Sequence, residues 1–259
     1  YPTPSWNNNH YIHLCEGVAV ECATRVEDGF MPTAATLAPL LPGARLLCLN
    51  SPLNPTGTVL SPDELGRICR LILDENKQRS ERGERPLYLM FDQVYYALTF
   101  GKTRHVTPPE LFPEMAAYTI FVDAISKSLC ATGLRVGWAV APPYVIARMR
   151  DILGHVGAWA PRPEQVATAE VLRDGAALDT FLVQMKASVQ RRLELLYEGF
   201  TALQEGGLPV RAVPPQGAIY LTVQLALHGR TTPEGQLLTT NEQIRVYLLQ
   251  AAGLACVPF

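Results

Sequence analysis

A lysine set between two serines is the first feature of this sequence that could carry chemistry. Lys127 follows Ser126, and apolar runs lie on both sides of this short segment. A lysine partly withdrawn from water can react as a neutral amine and form a Schiff base with an aldehyde. Eight positions later, Arg135 stands among glycines and apolar residues, and its planar guanidinium fits a phosphate. Taken alone, Lys127 is more simply explained as a solvated loop residue, so its interpretation depends on its surroundings.

Residues upstream of Lys127 could bind an aromatic heterocycle. Asp92 ends an apolar run, and a carboxylate there could pair with a pyridine nitrogen and keep the ring protonated. Tyr95 and the loop residue Asn54 could both donate hydrogen bonds to a phenolate oxygen on that ring. Trp6 could stack on the face of the ring. These residue types together favour a site for a heterocyclic aldehyde that carries a phosphate.

Four short motifs, in order along the chain, resemble the pyridoxal-phosphate-dependent aminotransferases of class I and II, fold type I. They are residues 4–6 (Pro-Ser-Trp), 50–57 (Asn-Ser-Pro-Leu-Asn-Pro-Thr-Gly), 92–95 (Asp-Gln-Val-Tyr), and Ser126-Lys127 with Arg-Val-Gly at 135–137. No single motif is specific, but their order and separations are. The resemblance covers nearly the whole chain and implies pyridoxal 5′-phosphate as the cofactor.

The resemblance also implies a role for each matching residue. Lys127 forms the Schiff base and later moves the proton between the substrate α-carbon and the cofactor, while Asp92 pairs with the ring nitrogen. Tyr95 joins these two as the third catalytic residue. The cofactor-binding set is then Lys127, Asp92, Tyr95, Asn54, Trp6, Ser126 and Arg135. His10 is a weaker candidate for a partner behind Asp92, and a plain loop histidine is an equal alternative.

The sequence departs from the family pattern at two positions near the lysine. Ala124 stands where the family usually has Ser, Thr or Gly, often a phosphate-binding hydroxyl, and Cys130 is unusual after the lysine. We therefore expect phosphate binding to depend more on Arg135 and Ser126. The glycine-rich phosphate loop and the arginine that binds the substrate α-carboxylate are expected to lie outside this chain.

The resemblance implies an aminotransferase that works by a ping-pong mechanism, most similar to the aspartate aminotransferase branch. Its substrates would be small molecules: an amino acid, with an aspartate-like donor favoured, and a 2-oxo acid such as 2-oxoglutarate. The family also implies a homodimer. Two alternatives stay open: a C–S β-lyase or decarboxylase on the same cofactor, and a non-catalytic pyridoxal-phosphate-binding regulatory domain or inactive fragment.

Short apolar runs that alternate with helical patterns predict the elements that position these residues. Strands are expected at 45–50, 87–91, 118–122 and 136–141, with chemically useful residues after their ends. Ligands bind at such ends in open α/β sheets. The predicted fold is α/β, a mainly parallel seven-stranded type of sheet sandwiched by helices, with part of a smaller α+β domain.

Three segments are predicted: a large cofactor-binding domain over 1–179, a long helix over 180–204 capped by Asp179, and part of a small domain over 205–259. Within the last segment, 210–213 and 218–223 are strand-like, and a helix begins after Thr240. Tyr220 could line the substrate pocket, but packing in the core is the favoured interpretation. In the large domain, a helix is expected from Ser61 to about Asn76. The charged stretch 74–85 is interpreted as a solvated helix end and loop.

The composition excludes several classes of protein. Hydrophobic residues make up 48% and charged residues 18%, which is typical of a folded globular protein. A net charge of -2 argues against nucleic-acid binding, and no apolar run is long enough to span a bilayer. The histidines show no metal-ligand spacing. The six cysteines form no CxxC pair, so we expect buried free thiols and a cytoplasmic location.

Overall fold

A computed structural model of the chain describes residues 1–5 and 8–259. The strands in this part are β1 (Pro2–Thr3), β2 (Cys22–Ala23), β3 (Leu46–Asn50), β4 (Tyr88–Asp92), β5 (Thr119–Ala124), β6 (Gly137–Val140), β7 (Val210–Ala212) and β8 (Val223–Leu225). The α-helices are α1 (Asn8–Leu14), α2 (Ala34–Leu37), α3 (Pro62–Glu81), α4 (Pro108–Leu111), α5 (Ile125–Ser128), α6 (Pro143–Val156), α7 (Arg162–Arg173), α8 (Gly175–Glu205) and α9 (Asn241–Ala252).

The main sheet of the described residues has the strand order β3-β4-β5-β6. The first three strands run parallel, and β6 pairs antiparallel with β5. Asn50 is opposite Asp92, and Asp92 is opposite Val122, so the carboxyl ends of the parallel strands meet at one edge. The predicted α/β class and the positions of all four strands, to within two residues, are confirmed.

The core lies between this sheet and α3. Leu65, Ile68 and Ile72 recur on one face of α3 and are fully buried, together with Leu89 and Phe91 of β4. Burial of one such side chain stabilises the fold by about 1.5–3 kcal/mol. This packing fixes β4, and therefore the position of Asp92, against the body of the molecule.

The start of α3 follows the sequence signal. Ser61 is the N-cap, with its hydroxyl accepting from the Glu64 backbone N–H at 3.2 Å, and Pro62 stands at the first position. The Glu64 side chain does not close the capping box. It accepts instead from the backbone N–H of Ala34 at 2.5 Å and so fastens α2 to α3.

The interpretation of 74–85 as a solvated helix end and surface loop holds for most of this stretch, since Asp74 and residues 81–85 are exposed, but it is wrong for three residues. The helix continues to Glu81, and Glu75, Asn76 and Arg79 are buried. The Arg79 guanidinium donates to Glu75 Oε1 at 2.6 Å and to the carbonyl of Leu41 at 2.8 Å. Because these charged and polar groups find partners inside the protein, they can be buried where the sequence suggested a surface.

The long helix begins earlier than predicted. Asp174, not Asp179, caps α8 by accepting from the Ala177 backbone N–H at 3.1 Å, and Asp179 lies within the helix. Gly206 ends α8, as expected. Thr240 caps α9 with a complete capping box, which confirms that prediction.

The segment 218–223 is not the continuous strand that was predicted. It starts with Ala218 at φ 58°, and only Val223 enters a strand, β8, which pairs antiparallel with β7. Backbone N–H groups at the start of this segment and just before it, in residues 216–218, instead donate hydrogen bonds to the distant loops that contain Gly57 and Leu98. The division of the chain into domains stays a prediction.

Two further expectations concern membrane-spanning helices and the burial of the cysteine thiols. No helix in the described part of the chain is long and apolar enough to cross a membrane. All six cysteines are free; Cys22, Cys48 and Cys69 are buried. The expectation of buried thiols is wrong for the other three, Cys15, Cys130 and Cys256, which are exposed.

Candidate active site

The site is built at the carboxyl ends of β3 and β4. The Asn50 side-chain amide donates to the Asp92 carbonyl at 3.0 Å, and its oxygen accepts from the Asn54 backbone N–H at 2.8 Å. One asparagine therefore ties the loop that carries Asn54 to the strand end that carries Asp92. Asn50 is the first residue of the 50–57 motif, but its position in that motif did not indicate this role.

The Asp92 carboxyl is held in a poorly solvated position. Burial raises its pKa, and the Val94 backbone N–H, which donates to Oδ1 at 3.1 Å, partly lowers it. Among the described residues, no cation forms an ion pair with this carboxyl. A buried carboxylate without a cation gains most from a positively charged ligand group.

Tyr95 lies on the inner side of this edge and is 2% exposed. Its pKa is raised mainly by burial, then by its hydrogen bond to Tyr220 and the nearby charge of Asp92. A hydrogen bond from the Asn54 side chain acts in the opposite direction and lowers the pKa. Tyr95, Asn54 and Asp92, which were predicted to share one ring, are therefore close together.

Lys127 faces the same group from the next strand. After β5 ends at Ala124, a single turn of helix, α5, is anchored by the buried residues Ile125 and Ser128. The half-buried Lys127 extends its Nζ over the Tyr95 ring, 5.7 Å from the ring centroid. An ammonium at this distance from an aromatic face is favourably placed.

The residues predicted to bind phosphate form fewer contacts with the rest of the site. Ser126 is half-buried beside Lys127. Arg135 is exposed, at φ 57°, and its Nη1 donates to the Thr132 carbonyl at 2.8 Å. Trp6 lies outside the described residues, so its stacking role stays a prediction. His10 is exposed on α1.

Tyr220 is a site residue that sequence analysis assigned to the core. Its hydroxyl oxygen lies 2.5 Å from that of Tyr95, and the two rings meet edge to face at 5.6 Å between centroids. The sequence contained one usable signal, because a tyrosine in an apolar segment needs a partner for its hydroxyl. It could not identify that partner, which lies 125 residues away.

A second buried carboxyl, Asp123, was also missed. Burial raises its pKa to about 6, and the negative charge of Asp92 adds to the rise. The Ala124 backbone N–H, at 2.7 Å, and the Gln93 side chain donate to it and act against the rise. Gln93 in turn contacts His105 Nε2 at 3.2 Å through its side-chain oxygen. A polar chain therefore runs from the surface loop to the carboxylates.

The residues present fit pyridoxal phosphate, the cofactor that the resemblance implies. Asp92 provides a buried negative charge for the ring nitrogen, and Lys127 an amine for the aldehyde. Tyr95 and Asn54 provide adjacent hydrogen-bond donors. This donor set is suited to a cationic heterocycle with a phenolate oxygen.

The similarity to known proteins extends over the whole chain. The family model for aminotransferase class I and II matches residues 1–259. The aspartate aminotransferase of Rhizobium meliloti (strain 1021) is 31% identical over 260 residues, covering 99% of this chain and 60% of that protein. The aspartate/prephenate aminotransferase of Thermus thermophilus is 31% identical over 258 residues, with 99% and 60% coverage.

Solved structures agree with these matches. The crystal structure of the aspartate aminotransferase from Rhizobium meliloti superposes with a TM-score of 0.85 at 30% identity, covering 99% of this chain and 61% of that one. The aromatic aminotransferase from Pyrococcus horikoshii OT3 gives 0.83 at 28% identity, with 99% and 62% coverage. The chain spans about three fifths of the length of the curated relatives it matches.

Proposed function

The chain belongs to the class I and II aminotransferases, and on this basis we propose that it transfers an amino group from an amino acid to a 2-oxo acid. Members of this family use pyridoxal 5′-phosphate. The observation that carries the proposal is the grouping around Tyr95: Lys127 Nζ lies 5.7 Å from the centroid of its ring, and the poorly solvated Asp92 carboxyl, which has no ion-pair partner among the described residues, lies near the same tyrosine.

Pyridoxal phosphate, when bound, supplies an aldehyde that condenses with amines and a protonated ring that accepts electrons from the substrate α-carbon. Lys127 would hold the aldehyde carbon through its Nζ until the substrate amine displaces it. The freed Nζ would then take the proton from the substrate α-carbon and return it to a neighbouring carbon. Asp92 would bind the ring nitrogen and favour its protonated form.

The remaining residues would orient the ring and its phosphate. Tyr95 and Asn54 would donate to the phenolate oxygen, which sets how readily the Lys127 nitrogen holds its proton. Ser126 and Arg135 would bind the phosphate, and Trp6 would stack on the ring. For Arg135, this requires its guanidinium to leave or share the Thr132 carbonyl that it now contacts.

We propose an aspartate-like amino donor with 2-oxoglutarate as acceptor. The support comes from relatives in two forms, aspartate aminotransferases and aspartate/prephenate aminotransferases. Steady-state assays with aspartate, an aromatic amino acid and alanine would rank the donors. A clear preference for alanine would contradict this choice of donor.

Three further properties are part of the proposal. The first is the division into a large domain (1–179), a connecting helix (180–204) and part of a small domain (205–259), supported by α8, which separates the main sheet from β7 and β8 in the chain. The second is a homodimer, supported by apolar residues exposed on α6–α8. The third is a cytoplasmic location, supported by the three buried thiols.

The direct test is covalent capture. The protein is mixed with pyridoxal phosphate, its absorbance is recorded, and the adduct is reduced with borohydride and mapped by mass spectrometry. We expect modification at Lys127 and its loss in Lys127→Ala. Lys102→Ala, which changes an exposed lysine in a surface loop, is the matched control and should keep the adduct. A folded protein without an adduct at Lys127 would contradict the proposal.

A further inference from the structure

We propose that Tyr220 is a positioning residue for this reaction: its hydroxyl holds Tyr95 and, when cofactor is bound, donates to Tyr95 so that the Tyr95 proton is directed to the ring oxygen. This inference rests on the proposed function. It assigns a role to a part of the chain that the sequence motifs do not include.

The contact between the two tyrosines is close and specific. Their hydroxyl oxygens are 2.5 Å apart, and their rings pack at an interplanar angle of 71°. Tyr95 is almost fully buried, whereas Tyr220 is partly exposed. A buried phenol needs a hydrogen-bond partner, and Tyr220 supplies one for Tyr95.

The chain fastens Tyr220 in this place with backbone hydrogen bonds. The N–H groups of Gln216 and Gly217 donate to the Gly57 carbonyl at 3.0 and 2.9 Å. The Ala218 N–H donates to the Leu98 carbonyl at 2.8 Å. The segment that precedes Tyr220 is therefore bonded both to the loop that carries Asn54 and to the turn that follows Tyr95.

A residue two positions after Tyr220 and the loop opposite it complete this arrangement. The Thr222 hydroxyl donates to the Thr56 carbonyl at 3.1 Å. Gly57 lies so close to the Tyr220 backbone that a Cβ there would be 2.3 Å from the Tyr220 carbonyl oxygen. The position of Tyr220 is thus fixed from two sides, as expected for a residue that positions another.

Hydrogen-bond accounting at Tyr95 gives the direction. A phenol oxygen carries one proton and can accept two hydrogen bonds. Without cofactor, the Tyr95 and Tyr220 hydroxyls share one hydrogen bond in which either can be the donor, and the Asn54 side chain lies close to Tyr95. When Tyr95 instead donates a hydrogen bond to the ring oxygen of the cofactor, the Tyr220 hydroxyl turns and donates to the Tyr95 oxygen. A donor that itself accepts a hydrogen bond becomes a stronger donor.

The test is a spectroscopic pH titration of the cofactor-loaded protein. A stronger bond to the ring oxygen stabilises its negative charge and releases the proton of the cofactor-bound Lys127 nitrogen more readily. Tyr220→Phe keeps the ring but removes the hydroxyl, so we expect the pKa of that nitrogen to rise by about 0.5 to 1 pH unit. Tyr95→Phe should raise it further.

The double variant separates positioning from general packing. If Tyr220 acts through Tyr95, then Tyr95→Phe/Tyr220→Phe should titrate like Tyr95→Phe alone. Tyr144→Phe, which removes the hydroxyl of an exposed tyrosine on α6, is the matched control and should titrate like the parent. Circular dichroism checks the fold. If Tyr220→Phe does not fold, Tyr220→Leu, which also lacks a hydrogen-bond donor, takes its place under the same two criteria.

The outcomes distinguish this inference from the proposed function. An unshifted titration in Tyr220→Phe, or additive shifts in the double variant, would overturn the role of Tyr220 and leave the aminotransferase proposal standing. A parent protein that forms no adduct with pyridoxal phosphate would overturn both. The inference is supported if Tyr220→Phe alone raises the pKa and the double variant has the same pKa as Tyr95→Phe.

Discussion

At the residue scale, two poorly solvated carboxyls lie on neighbouring strands, the half-buried Asp92 and the buried Asp123. The charge of Asp92 helps to raise the pKa of Asp123, so the two cannot both ionise without cost. A cationic ring at Asp92 would relieve this repulsion. In the cofactor-free protein the repulsion remains and destabilises the fold, so its size can be measured as a change in the free energy of unfolding.

We expect Asp123→Asn to stabilise the cofactor-free protein at pH 7.5. The Asp123 pKa rises from 3.8 to about 6 on folding, so the unfolded chain loses this proton first and stability falls as pH rises between these values. Above pH 6 the full penalty is present, about 1–3 kcal/mol. Asparagine can still accept from Gln93 and Ala124, so its advantage should appear at pH 7.5 and shrink towards zero near pH 4.

Urea unfolding at several pH values measures this difference. The matched control is Asp74→Asn, which changes an exposed aspartate on α3 and should leave the pH dependence unchanged. A gain in Asp123→Asn that is equal at pH 4.5 and pH 7.5 would show that the charge of Asp123 is not responsible.

At the element scale, α3 is attached to the sheet by polar groups as well as by its apolar face. Arg79, 2% exposed, bonds Glu75 and the carbonyls of Leu41 and Pro42. Asn76 exchanges two hydrogen bonds with the backbone of Leu87, at 2.7 and 2.9 Å, just before β4 begins. The end of α3 therefore sets where β4 starts, and β4 carries Asp92.

We expect Arg79→Ala to destabilise the fold by about 3–5 kcal/mol, because it leaves the buried Glu75 carboxylate with only the more distant Arg82 guanidinium, at 3.8 Å, as an ion-pair partner among the described residues. Urea unfolding provides the measurement. Arg67→Ala is the control on the same helix, since Arg67 is exposed and pairs only with Glu64, and it should change stability little.

A second variant tests the reason for that loss. In Glu75→Leu/Arg79→Met, both charges are replaced by apolar side chains, and part of the lost stability should return. Equal stability of Arg79→Ala and Arg67→Ala would contradict a structural role for the buried pair.

At the scale of the whole molecule, the long helix α8 exposes much of the apolar stripe along its surface. Only Leu193 of that stripe is buried, while Phe181, Leu196 and Leu203 are exposed. On α6, Ile152 and Val156 are 61% and 65% exposed. Apolar surface of this extent is typical of a protein that is covered by another chain or by more of its own.

If a second copy covers α6, the chain should have twice its 28.5 kDa mass in solution. Light scattering after size exclusion measures this mass. Ile152→Glu/Val156→Glu, placed one turn apart on one helix face, should reduce it to one copy. Val18→Glu, at a loop residue that is 90% exposed, is the control. A mass of one copy at every concentration would contradict the homodimer.

The four main strands could be predicted because continuous apolar runs bounded by polar residues are local signals. Helix starts were predicted where a cap and its partner are three residues apart, as at Thr240. They failed at Asp179, because Asp174 offered an earlier cap that the apolar periodicity did not reveal. The buried charges of α3 were missed, because Arg79 finds its carbonyl partners 37 and 38 residues away.

The sequence by itself identified the candidate residues of the site: the lysine, the carboxylate, the tyrosine and the asparagine are recognisable by type, spacing and order. Only the tertiary structure decided that Tyr220 touches Tyr95 and that Asp123 is buried near Asp92. The physical reason is that local motifs need only neighbouring residues, whereas burial and long-range hydrogen bonds depend on which strands and loops the fold brings together.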